Sequence, residues 1–229
     1  MASFKKEFTH YDILSGRYPL PLTEAKSGTK ETILMEATIL FAKNGYAAVS
    51  MRELADSIGI KQASLYNHFS SKEALWAEVL DHALDLYILY FQELDKALKE
   101  AGSFEEVLEV LFTETKKLRN LFTCYAFGLV QTEQFRDRRA AEIFDGTFLE
   151  YSIKFIQDAF DRSIEKGWAK PFDSKTVATV FMHSVLIGLN VKVQETLGRP
   201  VPYDPSEMFA DVERLLRDIG AQGLGAGRD

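Results

Sequence analysis

Proline constrains this chain most, through where it is missing. Pro19 and Pro21 stand near the start, Pro171 stands alone, and Pro200, Pro202 and Pro205 cluster towards the end. About 150 residues between Pro21 and Pro171 therefore carry none. A proline inside a helix costs roughly 3 kcal/mol, so so long a gap favours long helices. Strand signals are missing as well. Asn44-Gly45 and Asp145-Gly146 lie between helical patterns and not between alternating β-branched runs. The expectation is an all-α chain.

Helix starts are read from Ser/Thr/Asp followed three residues later by Glu, a pair that satisfies two orphan backbone N–H groups at once. Ser50–Glu53, Ser70–Glu73, Ser103–Glu106 and Asp204–Glu207 fit, the last with Pro205 at the first helical position. Thr29 and Asp173 are further candidate caps. Apolar residues at helical spacing fill in the faces. Ile33, Leu34, Ala37, Leu40 and Phe41 form one stripe, ending at Asn44-Gly45. Met51, Leu54, Ala55 and Ile58 form a second, stopped at Gly59, and a short helix follows around Gln62–His68. A long helix carrying Leu75, Val79, Ala83, Leu86, Tyr90, Leu94 and Leu98 closes at Ala101-Gly102. Later helices are predicted near 104–118, 121–133, 137–166, 174–196 and 205–219, about nine in all. The domain reading is an N-terminal extension (1–27), a small three-helix head (28–75), a larger helical body (76–220) and a glycine-rich disordered tail (221–229).

Charge and composition remove several classes. The chain carries a net charge of −7, which argues against coating nucleic acid by positive field alone. The charge is uneven: residues 1–75 hold 9 basic and 8 acidic groups, and the remainder 18 basic and 26 acidic. One cysteine, Cys124, leaves no disulfide framework and no multi-cysteine zinc site. The run Thr176–Val191 stops short of a membrane span and carries His183, Ser184 and Asn190, and the N-terminus lacks the apolar core of a signal peptide. A cytoplasmic protein without membrane contact is expected. Catalysis has little to stand on: there is no Gly-x-Ser-x-Gly elbow, no Walker loop and no His-Glu-x-x-His, and Glu7–His10 is the lone Glu-x-x-His. No enzyme, cofactor or metal is predicted.

The segment Ser50–Lys72, SMRELADSIGIKQASLYNHFSSK, carries the function. Two short helices separated by a tight break at Gly59-Ile60 have the spacing of a helix-turn-helix, whose second helix enters the major groove. Met51, Leu54, Ala55, Ile58, Ile60, Leu65 and Phe69 supply its core. Lys61, Gln62, Ser64, Tyr66, Asn67 and His68 are left to face outward, a set suited to hydrogen bonding with bases and phosphates.

From Thr29 to Leu80 the sequence resembles the TetR family of one-component transcriptional regulators, and the family's Leu-Tyr-x-His-Phe-x-Ser-Lys-Glu-x-Leu stands complete as Leu65 to Leu75. The resemblance implies a DNA-binding regulator, with Ser50 on phosphate and Arg52 on phosphate or a guanine edge. It implies Gln62 reading a base, Ala63 touching a thymine methyl, and Ser64, Tyr66, His68 and Lys72 on phosphates. Lys61 and Asn67 complete the candidate set. An ion pair with Glu53 or Asp56 is the alternative role for Arg52. An interaction module that grips protein with the same motif is the alternative for the whole segment.

The family resemblance also implies a two-fold homodimer on palindromic operator DNA and a small-molecule effector in the body. Its last two helices form the dimer contact. In this chain Val177, Val180, Phe181, Ser184, Ile187, Gly188 and Val191 repeat at helical spacing, as do Phe209, Val212, Leu215, Leu216 and Ile219. The interface is assigned to Val177, Phe181, Ser184, Gly188, Val191, Val212 and Leu216. An intrachain crossing is the alternative for Gly188. The effector site is assigned to Phe122, Tyr125, Leu129, Phe148, Tyr151, Phe155, His183 and Asn190, mostly apolar and aromatic groups with sparse polarity. A repressor released by a mostly apolar or aromatic effector is expected; an activator or a co-repressor-dependent regulator is the alternative. Arg136-Asp-Arg-Arg139 reads as a solvated helix start, with an anion site as its alternative, and Lys5, Lys6 and Arg17 are candidates for a DNA-reaching arm.

Overall fold

The computed structural model describes residues 29–117, 121–201 and 203–222; the N-terminal extension with Lys5, Lys6 and Arg17 lies outside them, as does the chain beyond Gln222. Every regular element among the described residues is helical. In order they are α1 (Thr29–Asn44), α2 (Met51–Ile58), α3 (Gln62–Tyr66), α4 (Lys72–Glu100), α5 (Phe104–Lys117), α6 (Leu121–Glu133), α7 (Arg138–Ile143), a π segment (Phe144–Tyr151), α8 (Ser152–Glu165), α9 (Ser174–Thr196) and α10 (Ser206–Gln222). Phe144 and Tyr151 keep right-handed helical dihedrals, so α7, the π segment and α8 run on as one rod. Counted that way, the described residues form nine helices.

The chain divides into two compact units, residues 1–92 with 120–144, and 93–119 with 145–229. Helix α4 contributes its first part to one and its end to the other. In the first unit, α1 packs against α6 and α2. Ile33, Ala37 and Phe41 from α1, Leu54 and Ala55 from α2, Leu65 and Phe69 around α3, and Leu75, Val79 and Leu80 from α4 are all buried. Their spacing in sequence is the stripe pattern that made those segments helices.

The second unit packs α8 on α9, α5 on α10, and α10 on α9. Phe112 meets Phe181 edge to face at 5.3 Å, and Phe104, Phe160 and Phe172 form a second cluster. Gly188 lies under the Phe209 ring, where a Cβ would overlap it, so the missing side chain serves a crossing inside the chain. Gly220 is buried under Phe104 in the same manner and its carbonyl accepts the Lys170 N–H at 3.0 Å. That packing carries α10 through Gly220 to Gln222, past the end the glycine-rich sequence suggested.

Helix α9 has the predicted bounds, 174–196, and is apolar over a longer window than the run Thr176–Val191 implied. Over an 18-residue window its mean hydropathy is 1.5, which by length and composition would span a bilayer, yet 56% of that window is buried inside the fold. It is a core helix. Val177, Phe181, Ser184, Gly188 and Val191 of α9 and Leu216 of α10 are buried within the chain, and Val212 is half-buried. The side chains assigned to a subunit interface are thus already covered. The apolar groups left outside on the same two helices are Val180, Ile187 and Leu215, 44%, 45% and 47% exposed.

Candidate nucleic-acid interface

Ser50 opens α2. Its Oγ accepts the Glu53 N–H at 3.1 Å, and the Glu53 carboxylate accepts the Ser50 N–H at 2.7 Å. The Ser50 N–H first, and the Ser50 hydroxyl second, hold the Glu53 carboxyl below its usual range. Both Ser50 donors thus lean on Glu53, and a phosphate takes the hydroxyl only in competition with that carboxylate. Helix α2 ends at Gly59, whose φ of 75° is left-handed. The Ile60 N–H then reaches back to the Ala55 carbonyl at 3.0 Å, turning the chain into α3.

Helix α3 is five residues long, too short to hold itself in water. It is held from behind, by Leu65 at 0% and Phe69 at 1% exposure. Lys30 from α1 covers the Phe69 ring at 5.4 Å and pairs with Glu78 of α4 at 2.6 Å. With those anchors inward, Lys61, Gln62, Ala63, Tyr66, Asn67 and His68 are exposed, and Ser64 is half-buried. Arg52 is exposed on α2, its Nε 3.8 Å from Asp56, a solvated pair worth at most about 1 kcal/mol that an incoming phosphate can replace.

Lys72 opens α4 and is half-buried. Its ammonium lies 4.3 Å from the centre of the Tyr46 ring and 3.4 Å from the Ala47 carbonyl, which accepts from it. Tyr46 in turn packs on Trp76 and Phe41, at 4.6 and 5.4 Å between ring centres. Burial, then the charges of Glu73 and Asp137, push the Tyr46 hydroxyl above its ordinary pKa. The ten candidates thus gather on α3, the start of α2 and the start of α4.

Two groups hold this head that spacing did not single out. The buried Glu133 carboxylate at the end of α6 accepts the Tyr46 N–H at 3.1 Å. Asp137 accepts the Trp76 indole N–H at 3.0 Å and, with its other oxygen, caps α7 through the Ala140 N–H at 2.8 Å. No local pattern could have paired them, since their partners stand 87 and 61 residues away.

The effector candidates fall in both units. Tyr125 and Leu129 are buried in the first unit, with Lys43 over the Tyr125 ring at 5.5 Å. Phe148 and Phe155 are buried in the second, with the Tyr151 ring 6.1 Å from Phe155. Asn190 is half-buried. His183 is exposed and donates from Nδ1 to the Thr179 carbonyl at 2.7 Å; it shares the outer face of α9 with Val180 and Ile187. The Phe122 side chain lies outside the described residues. Among the described residues no cluster of His, Cys, Asp or Glu could hold a metal ion.

Residues 33–79 match the family described as bacterial regulatory proteins, tetR family. The HTH-type transcriptional repressor KstR2 of Mycolicibacterium smegmatis is 30% identical over 189 residues, 70% of this chain and 90% of the relative. KstR2 of Rhodococcus jostii is 28% identical over 197 residues, 75% of this chain and 96% of the relative. Among solved structures, the ketosteroid transcriptional regulator KstR2 of Mycobacterium tuberculosis superposes with a TM-score of 0.61 at 22% identity, covering 83% of this chain and 95% of that one.

Proposed function

Because the chain belongs to the tetR family of bacterial regulatory proteins and is a DNA-binding transcriptional regulator, we propose that α3 is its recognition helix and that it represses transcription from a palindromic operator. One observation carries this reading. A five-residue helix pinned by Leu65 and Phe69 leaves the polar side chains of Gln62, Tyr66, Asn67 and His68, and the Ala63 methyl, in solvent. In this reading Gln62 takes the two-bond pairing with adenine, and Ala63 meets a thymine methyl. Arg52, Lys61, Ser64, Tyr66, His68, Lys72 and the Ser50 hydroxyl hold the phosphates that fix register.

A palindromic site one helical turn apart calls for two heads, hence a homodimer. Its seam is assigned to Val180, Ile187 and Leu215, the apolar groups that the chain's own core leaves uncovered on α9 and α10. The effector is a small, mostly apolar or aromatic molecule. The aromatic content of the π segment and α8, with Phe148, Tyr151 and Phe155, supports this. Such a molecule relieves repression in the cytoplasm only to the extent that it binds the DNA-incompetent arrangement more tightly than the competent one. Helix α4, shared by both units, is one covalent route between them.

The test is a fluorescence anisotropy titration of operator duplexes taken from upstream of its own reading frame. Log affinity should fall linearly with log salt, and Gln62→Ala should cost roughly 1–3 kcal/mol at one base position and relax the preference there. A flat salt response, or a Gln62→Ala protein with unchanged base preference, rejects the assignment.

A further inference from the structure

Arg136 stands exposed in the turn between α6 and α7, beside Phe135, which is 84% exposed. The turn is stiff. The Gln134 N–H donates to the Val130 carbonyl at 3.0 Å, and the Arg136 and Asp137 N–H groups both donate to the Glu133 carbonyl, at 2.9 and 2.8 Å. Both its ends are tied to the head through the Glu133–Tyr46 and Asp137–Trp76 hydrogen bonds. Tyr46 is the ring on which the Lys72 ammonium rests, and three residues separate it from Ser50 in the chain. The turn carrying Arg136 is thus tied, through the carboxylates of Glu133 and Asp137, to the α1–α2 turn and to the first part of α4. Its neighbours are neutralised: Arg138 pairs with Glu142 at 2.9 Å, and Arg139 with Asp81. Among the described residues no carboxylate pairs with Arg136. An unanswered guanidinium on a rigid turn, tethered beside two phosphate-contacting groups, has the chemistry of a phosphate clamp.

We infer that Arg136 is a second point of contact with operator DNA, gripping a backbone phosphate on the flank of each half-site, outside the span of the helix-turn-helix. It adds affinity without reading sequence, because phosphate contacts position and base contacts specify. The inference rests on the recognition-helix reading of α3.

The experiment compares wild type, Arg136→Ala, Arg136→Lys and, as a control on the second unit, Lys166→Ala. Each is titrated across a salt series on a long operator duplex and on one trimmed to the two half-sites. Each phosphate contact contributes about 0.9 to the slope of log affinity against log salt, so losing one per subunit lowers it by roughly two. Arg136→Ala should show that loss equally on operator and unrelated sequence, Arg136→Lys should keep the wild-type slope, and all proteins should coincide on the trimmed duplex. An Arg136→Ala slope equal to wild type on the long duplex overturns the inference while leaving α3 as reader. A loss that persists on the trimmed duplex also overturns it, by placing the contact within the half-site. A wild type indifferent to salt removes the α3 reading and this inference together. Melting curves matched to wild type show that the exposed substitution has left the fold alone.

Discussion

Replacing Ile187 with lysine separates the two faces of α9. Ile187 is 45% exposed in the single chain, so about half of its burial remains to be gained against a partner. Full burial of an isoleucine is worth about 1.5–3 kcal/mol, which leaves roughly 1 kcal/mol per copy. A two-fold interface uses each residue twice, so the dimer loses about 2 kcal/mol from this side chain alone, some thirtyfold in dissociation constant. Two ammonium groups brought towards one seam add to the loss. The fold of each subunit should be nearly indifferent, because a half-exposed lysine keeps its charge in water.

Val177→Ala should behave in the opposite way. Val177 is 4% exposed inside the chain, so its truncation opens a cavity and costs about 1–2 kcal/mol of subunit stability while leaving association unchanged. Sedimentation velocity over a dilution series reads association, and urea denaturation of each variant reads the fold. An Ile187→Lys dimer as tight as wild type, or a Val177→Ala protein that dissociates but keeps its stability, would refute the assignment of the outer face.

Two further outcomes follow from the geometry. Gly59→Ala places a methyl on a backbone with φ of 75°, where nothing lies within 4 Å, so only left-handed strain is added. About 1–2 kcal/mol of stability should be lost, visible in chemical denaturation, and a loss near zero would show that the turn relaxes freely. Asp85, half-buried on α4, has its pKa raised to about 6 by burial first and by Asp81 second. A carboxyl whose folded pKa lies above its unfolded value stabilises the fold fully below about pH 4 and loses that contribution as pH rises through about 6. Asp85→Asn should therefore stabilise the protein at pH 7 by on the order of 1 kcal/mol, allowing for solvent screening, with no gain below about pH 4. Denaturation midpoints across that range check it, and a gain confined to acid pH would contradict the sign.

The elements most legible in the sequence were those fixed by local chemistry. The Ser50–Glu53 capping box and the left-handed Gly59 both stand where spacing put them. So does the proline-free run of helices, because caps, breakers and apolar periods act within a few residues. The interior of 137–166 was legible as a rod but not as a π segment, since no residue pattern there distinguishes the two hydrogen-bond spacings. Contacts over long separations were silent. Neither Glu133 nor Asp137 carries a local mark of the head residue it holds, although their hydrogen bonds seat the α1–α2 turn and the start of α4.

Helix α9 shows where periodicity runs out as an argument. A stripe of apolar residues at helical spacing says that a face is removed from water; it does not say what removes it. Val177, Phe181, Ser184, Gly188 and Val191 satisfy the period as well as Val180 and Ile187 do, and the two sets are about one residue's rotation apart on the wheel. The chain's own ring at Phe209 decides between them, because only a glycine at 188 lets it close. The first set therefore belongs to the fold. The second is left on the surface of the single chain, and it is the face on which the proposed two-fold seam is tested by Ile187→Lys.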